Sequence, residues 1–258
     1  MYYVVKVQGS LHIYVHSQKY TNCRSECELS DGEGDSMEKR PDNFKEFRRL
    51  AIARRNIYYL FSNAFLFKPT YTLVMNILKK EFLYGISHVV DDDRGIKFFK
   101  NFARNFTHNR KNYKALTMEF YDLFLPSGTR YVRPYESAHR DDVTADDVRK
   151  VYSQVKVKIP RVNAPPDHFG LELWFMYRLC NLEAKAWEKR RKERFLTYLE
   201  IEEGFLGRHL TKWADKLCNL VVELSVFDFY KGVAEITKGY ITQDYKEVKE
   251  LIKEGRDL

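Results

Sequence analysis

Cysteine is scarce in this chain: four among 258 residues, at positions 23, 27, 180 and 218. Four thiols so unevenly spaced do not make a disulfide framework, and Cys23 and Cys27 form a lone C-x3-C with no second pair to complete a zinc site. Cys180 and Cys218 fall within helical patterns, where a free thiol acts as a small core hydrophobe. Long apolar runs are missing too. A membrane span needs roughly 18 to 20 apolar residues in a row, and the densest stretch, 171–180, is interrupted by Glu172 and Arg178. Stable membrane insertion is therefore not expected. Few cysteines and no secretory signal set the expectation of a reducing, cytoplasmic home. There is no G-x-S-x-G elbow, no G-x4-G-K-[ST] phosphate loop and no H-E-x-x-H. Repeats at solenoid periods are absent as well.

What is present is an ordinary globular composition, 44% hydrophobic and 31% charged, with a high 15% share of aromatic residues. The core or a groove should accordingly be rich in rings. The length suits one large helical domain or two small ones. Lys and Arg outnumber Asp and Glu by 44 to 36, a formal charge of +8. A basic helical nucleic-acid binder is one reading of that excess. However, the cations are dispersed, and the one dense run, 185–194 (K-A-W-E-K-R-R-K-E-R), contains two Glu. It reads as an exposed helix face with i,i+4 pairing, and no nucleic-acid motif accompanies it.

Residues 1–40 differ from the rest. Up to Tyr20 they alternate weakly and are β-branched and aromatic; 25–40 are polar and Gly-bearing, with the composition of a disordered segment. Met37 opens a helix-like stretch and is an alternative start. From Asp42 the period is helical: Phe47, Leu50, Arg54, Ile57, Phe61 and Phe65 follow i+3/i+4 spacing, with Asp42 or Asn43 as cap. Lys68-Pro69 stops that helix and Pro69 opens another over 70–84. Helices follow over 94–105, behind three aspartates, and over 109–125. Thr144 with Asp147 forms a capping box for a short helix to Tyr152. A structureless run, 155–166, contains three prolines. A long helix, apolar nearly all round, starts at Asp167 or His168 and runs to about Trp187, as for a helix in the middle of a bundle. Leu206, Leu210, Trp213, Leu217, Val221 and Leu224 make one stripe, and 227–240 and 244–252 supply two more helices. The expected fold is all-α, of about ten helices over 41–258, with an atypical N-terminal segment and a joint between halves within 126–166.

Three constellations could carry chemistry. In A-P-P-D-H, 164–168, two prolines stiffen the start of the long helix and Asp167 is placed to cap it, leaving His168 in the first turn. The plain reading is a helix cap; the functional one is a carboxylate and an imidazole held rigidly at a helix tip. P-Y-E-S, 134–137, offers a ring, a charge and a hydroxyl in a loop, or simply a turn. Glu172 is the only acid within 169–177, where a carboxylate needs a partner; His168 one turn earlier and His209 are available. His168, Glu172 and His209 are also metal-ligand types, which keeps a metal-dependent hydrolase open as an alternative.

In order along the chain, R-x-x-x-Y-Y-L-F-S-N-A-F (54–65), P-Y-E-S (134–137), Val148 and Tyr152, P-P-D-H-F-G-L-E-L-W-F-M (165–176) and F-L-G-R-H-L-T-K-W (205–213) resemble the TorD/DmsD/NarJ family of redox-enzyme maturation chaperones. The resemblance implies an all-α protein that is not an enzyme and needs no cofactor. It would bind the twin-arginine signal peptide or N-terminal region of a molybdopterin oxidoreductase subunit, as a monomer or a domain-swapped dimer. Carried over residue by residue, the family's binding Asp and His fall on Asp167 and His168, its helix-borne Glu on Glu172 and its second His on His209. With Tyr135, Glu136, Ser137 and Pro165 they make the expected peptide site. Two departures stand out: Ala164 replaces a common Glu, and Val155-Lys156-Val157 replaces a glycine. Glu136, Asp141, Asp142, Asp146, Asp147, Asp167 and Glu172 are expected to gather into an acidic groove able to hold arginine guanidinium groups.

Overall fold

The fold is taken from a computed structural model that describes residues 2–7, 11–16, 43–87, 90, 93–107 and 109–258. Cys23, Cys27, Met37 and the polar segment 25–40 lie outside the described residues. Near the N-terminus β1 (Tyr2–Val7) pairs antiparallel with β2 (Leu11–His16). Among the described residues from 43 onward, all regular structure is helical, as expected, apart from one isolated bridge.

The helix α1 (Asn43–Leu66) lies along α7 (Phe169–Glu188) as the principal packed pair. They run antiparallel: Phe47 near the start of α1 stacks on Trp187 at the end of α7, with ring centroids 4.6 Å apart, while Phe65 meets Phe169 edge-on at 4.8 Å. The approach is close where Ser62 donates to the Gly170 carbonyl at 2.8 Å. A Cβ on Gly170 would sit 2.6 Å from Leu66 Cγ, so only glycine fits between these helices. Against this pair pack α8 (Lys192–Phe205) and the 29-residue α10 (Asp228–Arg256), and α10 in turn packs on α4 (Asp93–Asn105), α8 and α9 (Thr211–Leu224). One continuous apolar cluster runs from Phe47 to Ile252 and draws on both sides of the 126–166 segment. No helix among the described residues is long and apolar enough to cross a membrane.

Several element boundaries differ from the expectation, each for a local reason. The single helix expected over 70–84 is α2 (Tyr71–Ile77), capped by Thr70, followed by α3 (Lys80–Ser87). A continuous helix would carry the stripe Leu73, Val74, Ile77 on to Lys80, Glu81 and Tyr84, all exposed; the break lets Phe82, Leu83 and Ile86 face the core instead. The two last helices are one, α10, because Asp244 is a buried core residue and not a cap. The stripe beginning at Leu206 starts in a π-turn, Leu206–Leu210, that joins α8 to α9. The basic run 185–194 is not one helix face, since Arg190 adopts φ 49° and turns the chain between α7 and α8. As expected, a helix covers most of 109–125, α5 (Arg110–Phe124), with Asn109 as its cap in the structure; α6 (Ala145–Val155) opens on the Thr144–Asp147 capping box, and Cys180 and Cys218 are buried free thiols.

Candidate functional site

Residues 134–137 and 165–168 meet where the start of a 3-10 turn, Glu136–Ala138, faces the turn that precedes α7. Tyr135 and His168 form an isolated antiparallel bridge, with the Glu136 amide donating to the Asp167 carbonyl at 2.9 Å and the Phe169 amide to the Pro134 carbonyl at 2.8 Å. The prolines at 165 and 166 cannot donate, so the strap before α7 is held from the other side of the ladder and by the Tyr152 hydroxyl, which donates to the Pro166 carbonyl at 2.9 Å. The P-Y-E-S and P-P-D-H motifs are thus two halves of one tie.

The side chains extend that tie inward. Asp167 is fully buried, and its Oδ2 accepts from the Ser137 amide at 3.1 Å and the Ser137 hydroxyl at 2.6 Å. It does not cap α7, as the sequence led us to expect. His168 is the cap: its Nδ1 accepts from the Gly170 amide at 3.1 Å, which requires a neutral ring. Burial lowers its pKa to about 4, against the nearby Asp167 carboxylate, which favours the charged form. Glu172, also fully buried, accepts from Trp213 Nε1 at 3.1 Å and does not pair with His168. Burial, reinforced by the Glu136 carboxylate beside it, raises its pKa well above the usual carboxylate range, which favours the uncharged form. Glu136 is bound on both oxygens, by Arg140 Nη1 at 2.5 Å and by His209 Nδ1 at 2.8 Å. Arg140 also donates to the Arg208 carbonyl at 2.6 Å, which fastens the loop to the π-turn carrying His209.

Glu136, Asp167, His168, Glu172 and His209 are therefore brought together but buried, while Ser137 and Pro165 are exposed and Tyr135 is half-buried. The expected open acidic groove does not form. Its three central carboxylates are internal; of the outer four, Asp142 pairs with Arg140, Asp146 with Arg149, and Asp147 with Lys150 and Thr144, while Asp141 is exposed. Asp167 Oδ1 and Glu172 Oε1 are buried without a hydrogen-bond partner among the described residues. Beside the tie lies an open concavity of about 450 Å³, lined among others by Tyr152, Val157, Ile159, Pro166 and Leu171.

Nor do His168, Glu172 and His209 make a metal site, because each points its donor at a different internal partner. Among the described residues, the one group of potential ligands close enough together is Cys180, Glu183 and Glu202. Its two carboxylates hold the Arg54 guanidinium, at 2.8 and 2.5 Å, together with Asp244 at 2.6 Å. Sequence reasoning placed Arg54 in the apolar stripe without seeking its partners. A cation at a core-facing position demands buried acids, and Glu183, in the second half of the apolar helix, was the available signal.

Residues 92–219 match the family model described as nitrate reductase delta subunit, a stretch that contains the whole tie. The chain is 24% identical over 219 residues to the chaperone protein TorD of Vibrio cholerae serotype O1 (strain M66-2), covering 81% of this chain and 98% of that protein. Identity to the chaperone protein TorD of strain ATCC 39315 / El Tor Inaba N16961 is 25% over 220 residues, with the same shares covered.

Proposed function

We propose that this chain, a member of the TorD/DmsD/NarJ family and hence a chaperone rather than an enzyme, holds the signal peptide or N-terminal region of a molybdopterin oxidoreductase subunit while that subunit is assembled in the cytoplasm. The observation that carries the reading is the tie between 134–137 and 165–168, which leaves Ser137 and Pro165 exposed and Tyr135 half-buried next to a concavity that Pro166 helps to line. In this reading the expected site residues divide in two. Tyr135, Ser137 and Pro165 touch the client; Glu136, Asp167, His168, Glu172 and His209 keep that rim in shape from beneath. Pre-organisation of this kind lowers the ordering cost of capturing a flexible segment.

Affinity capture from the native host with the tagged full chain, followed by mass spectrometry, tests the reading. A molybdopterin oxidoreductase subunit should be recovered, and less of it with Tyr135→Ala or Pro165→Glu, substitutions on the accessible rim. If the parent chain recovers no such subunit above a mock control, the reading is wrong.

A further inference from the structure

The concavity beside the tie has a charge opposite to the one expected of it. Its charged lining residues are Arg149 and Lys156, and no acid reaches it. Its hydroxyls are already engaged, Tyr152 on the Pro166 carbonyl and Ser153 on the Arg149 carbonyl at 3.0 Å. The rest of the wall is apolar. One side is the extended strap after α6, which begins where Lys156 takes a left-handed conformation at φ 55°. Along it the side chains alternate: Val157 and Ile159 pack on the core, whereas Lys156, Lys158 and Arg161 are exposed. Arg149 is paired with Asp146, but these three cations have no ion-pair partner among the described residues. The carboxylates that could have reversed the balance, Asp167 and Glu172, are fully buried and take no part in the lining.

We infer that this concavity selects a polypeptide segment with apolar side chains next to a carboxylate, so that the client is recognised here by an acidic residue and not by an arginine pair. The inference rests on the chaperone reading and specifies what the client carries at this end of the site. The apolar floor takes the hydrophobic part, and Lys156, Lys158 and Arg161 meet the acid at the rim, where charge sets partner choice and salt sensitivity.

The test uses the full chain and two synthetic peptides with the same apolar core, one flanked by Glu and one by Arg, followed by fluorescence anisotropy. The Glu peptide should bind roughly tenfold more tightly at low salt, with the advantage shrinking as ionic strength rises. The triple reversal Lys156→Glu/Lys158→Glu/Arg161→Glu, made at exposed positions, should invert the preference while leaving the helical circular dichroism unchanged. Preference of the parent chain for the Arg peptide, indifference to the reversal, or binding of neither peptide would overturn the inference. Capture of the same client by the parent and the reversed chain would sink it too while sparing the chaperone reading; loss of client from both would sink that reading instead.

Discussion

Two centres of buried charge sit about one end and the other of α7, and they are built on opposite plans. Toward its C-terminal half, Arg54 of α1 lies among Glu183 of α7, Glu202 of α8 and Asp244 of α10, with the Tyr58 hydroxyl donating to Asp244 at 2.6 Å and Trp187 Nε1 to Glu183 at 2.8 Å. A cation stands in the middle and every partner comes from a different helix, so the cluster fixes how four helices sit. At the N-terminal end of α7, Glu136, Asp167 and Glu172 are buried with no cation at their centre; Arg140 and His209 hold Glu136 from the edge. There, burial is made tolerable by hydroxyl, amide and indole donors and by an upward shift of the Glu172 pKa that favours its uncharged form. The first plan gives a permanent joint. The second gives a rim whose shape depends on a few hydrogen bonds and on protonation, which suits a surface that must meet another chain.

The contrast can be broken most severely at Arg54. Arg54→Met strands three buried carboxylates and should cost about 3–5 kcal/mol in urea unfolding followed by circular dichroism. A loss below 1 kcal/mol would show that the acids simply take up protons and that the guanidinium is dispensable. The next largest effect concerns pH. Burial lowers His168 from 6.5 to about 4, so between those values the unfolded chain binds a proton that the folded one excludes. Stability should fall as pH drops through this window, by about 3 kcal/mol at its lower end. His168→Asn keeps a cap acceptor without the titration, and the difference between the two stability profiles should vanish above pH 6.5 and grow below it.

Smaller effects sharpen the picture at the tie. Asp167→Ala should cost about 2 kcal/mol by leaving both Ser137 donors without their acceptor, and Asp167→Asn clearly less. An equal loss for the two variants would mean that charge, and not hydrogen bonding, holds the tie. Glu172→Gln should change stability at pH 7 by less than about 1 kcal/mol, because burial beside Glu136 disfavours the charged carboxylate and the uncharged Gln still accepts from Trp213. A loss as large as that of Arg54→Met would show an ionised Glu172 and erase the difference between the two centres.

Periodicity made most helices legible, since apolar spacing is a local property. It failed where a helix had to bend its stripe back to the core, as between α2 and α3, or where a charged residue was core-facing, as at Asp244. The site was legible as a set of residues and illegible as an arrangement. Ala164 to His168 announced a stiffened helix start, yet whether Asp167 or His168 capped it depended on Ser137, thirty positions away, drawing the aspartate aside. The signs of the charges between 136 and 172 are plain in the sequence; that Glu136, Asp167 and Glu172 turn inward while Lys156, Lys158 and Arg161 stay exposed is not.

By itself, then, the sequence determined the helical class, the ring-rich core, the lack of a membrane-length apolar run and the ordered motifs that mark the family, because each follows from spacing along the chain or from composition. Only the tertiary structure decided which charges are buried, who satisfies them and which face is left basic. Those outcomes depend on partners brought from distant positions, and a buried carboxylate is stable only where the fold supplies a donor or a proton for it.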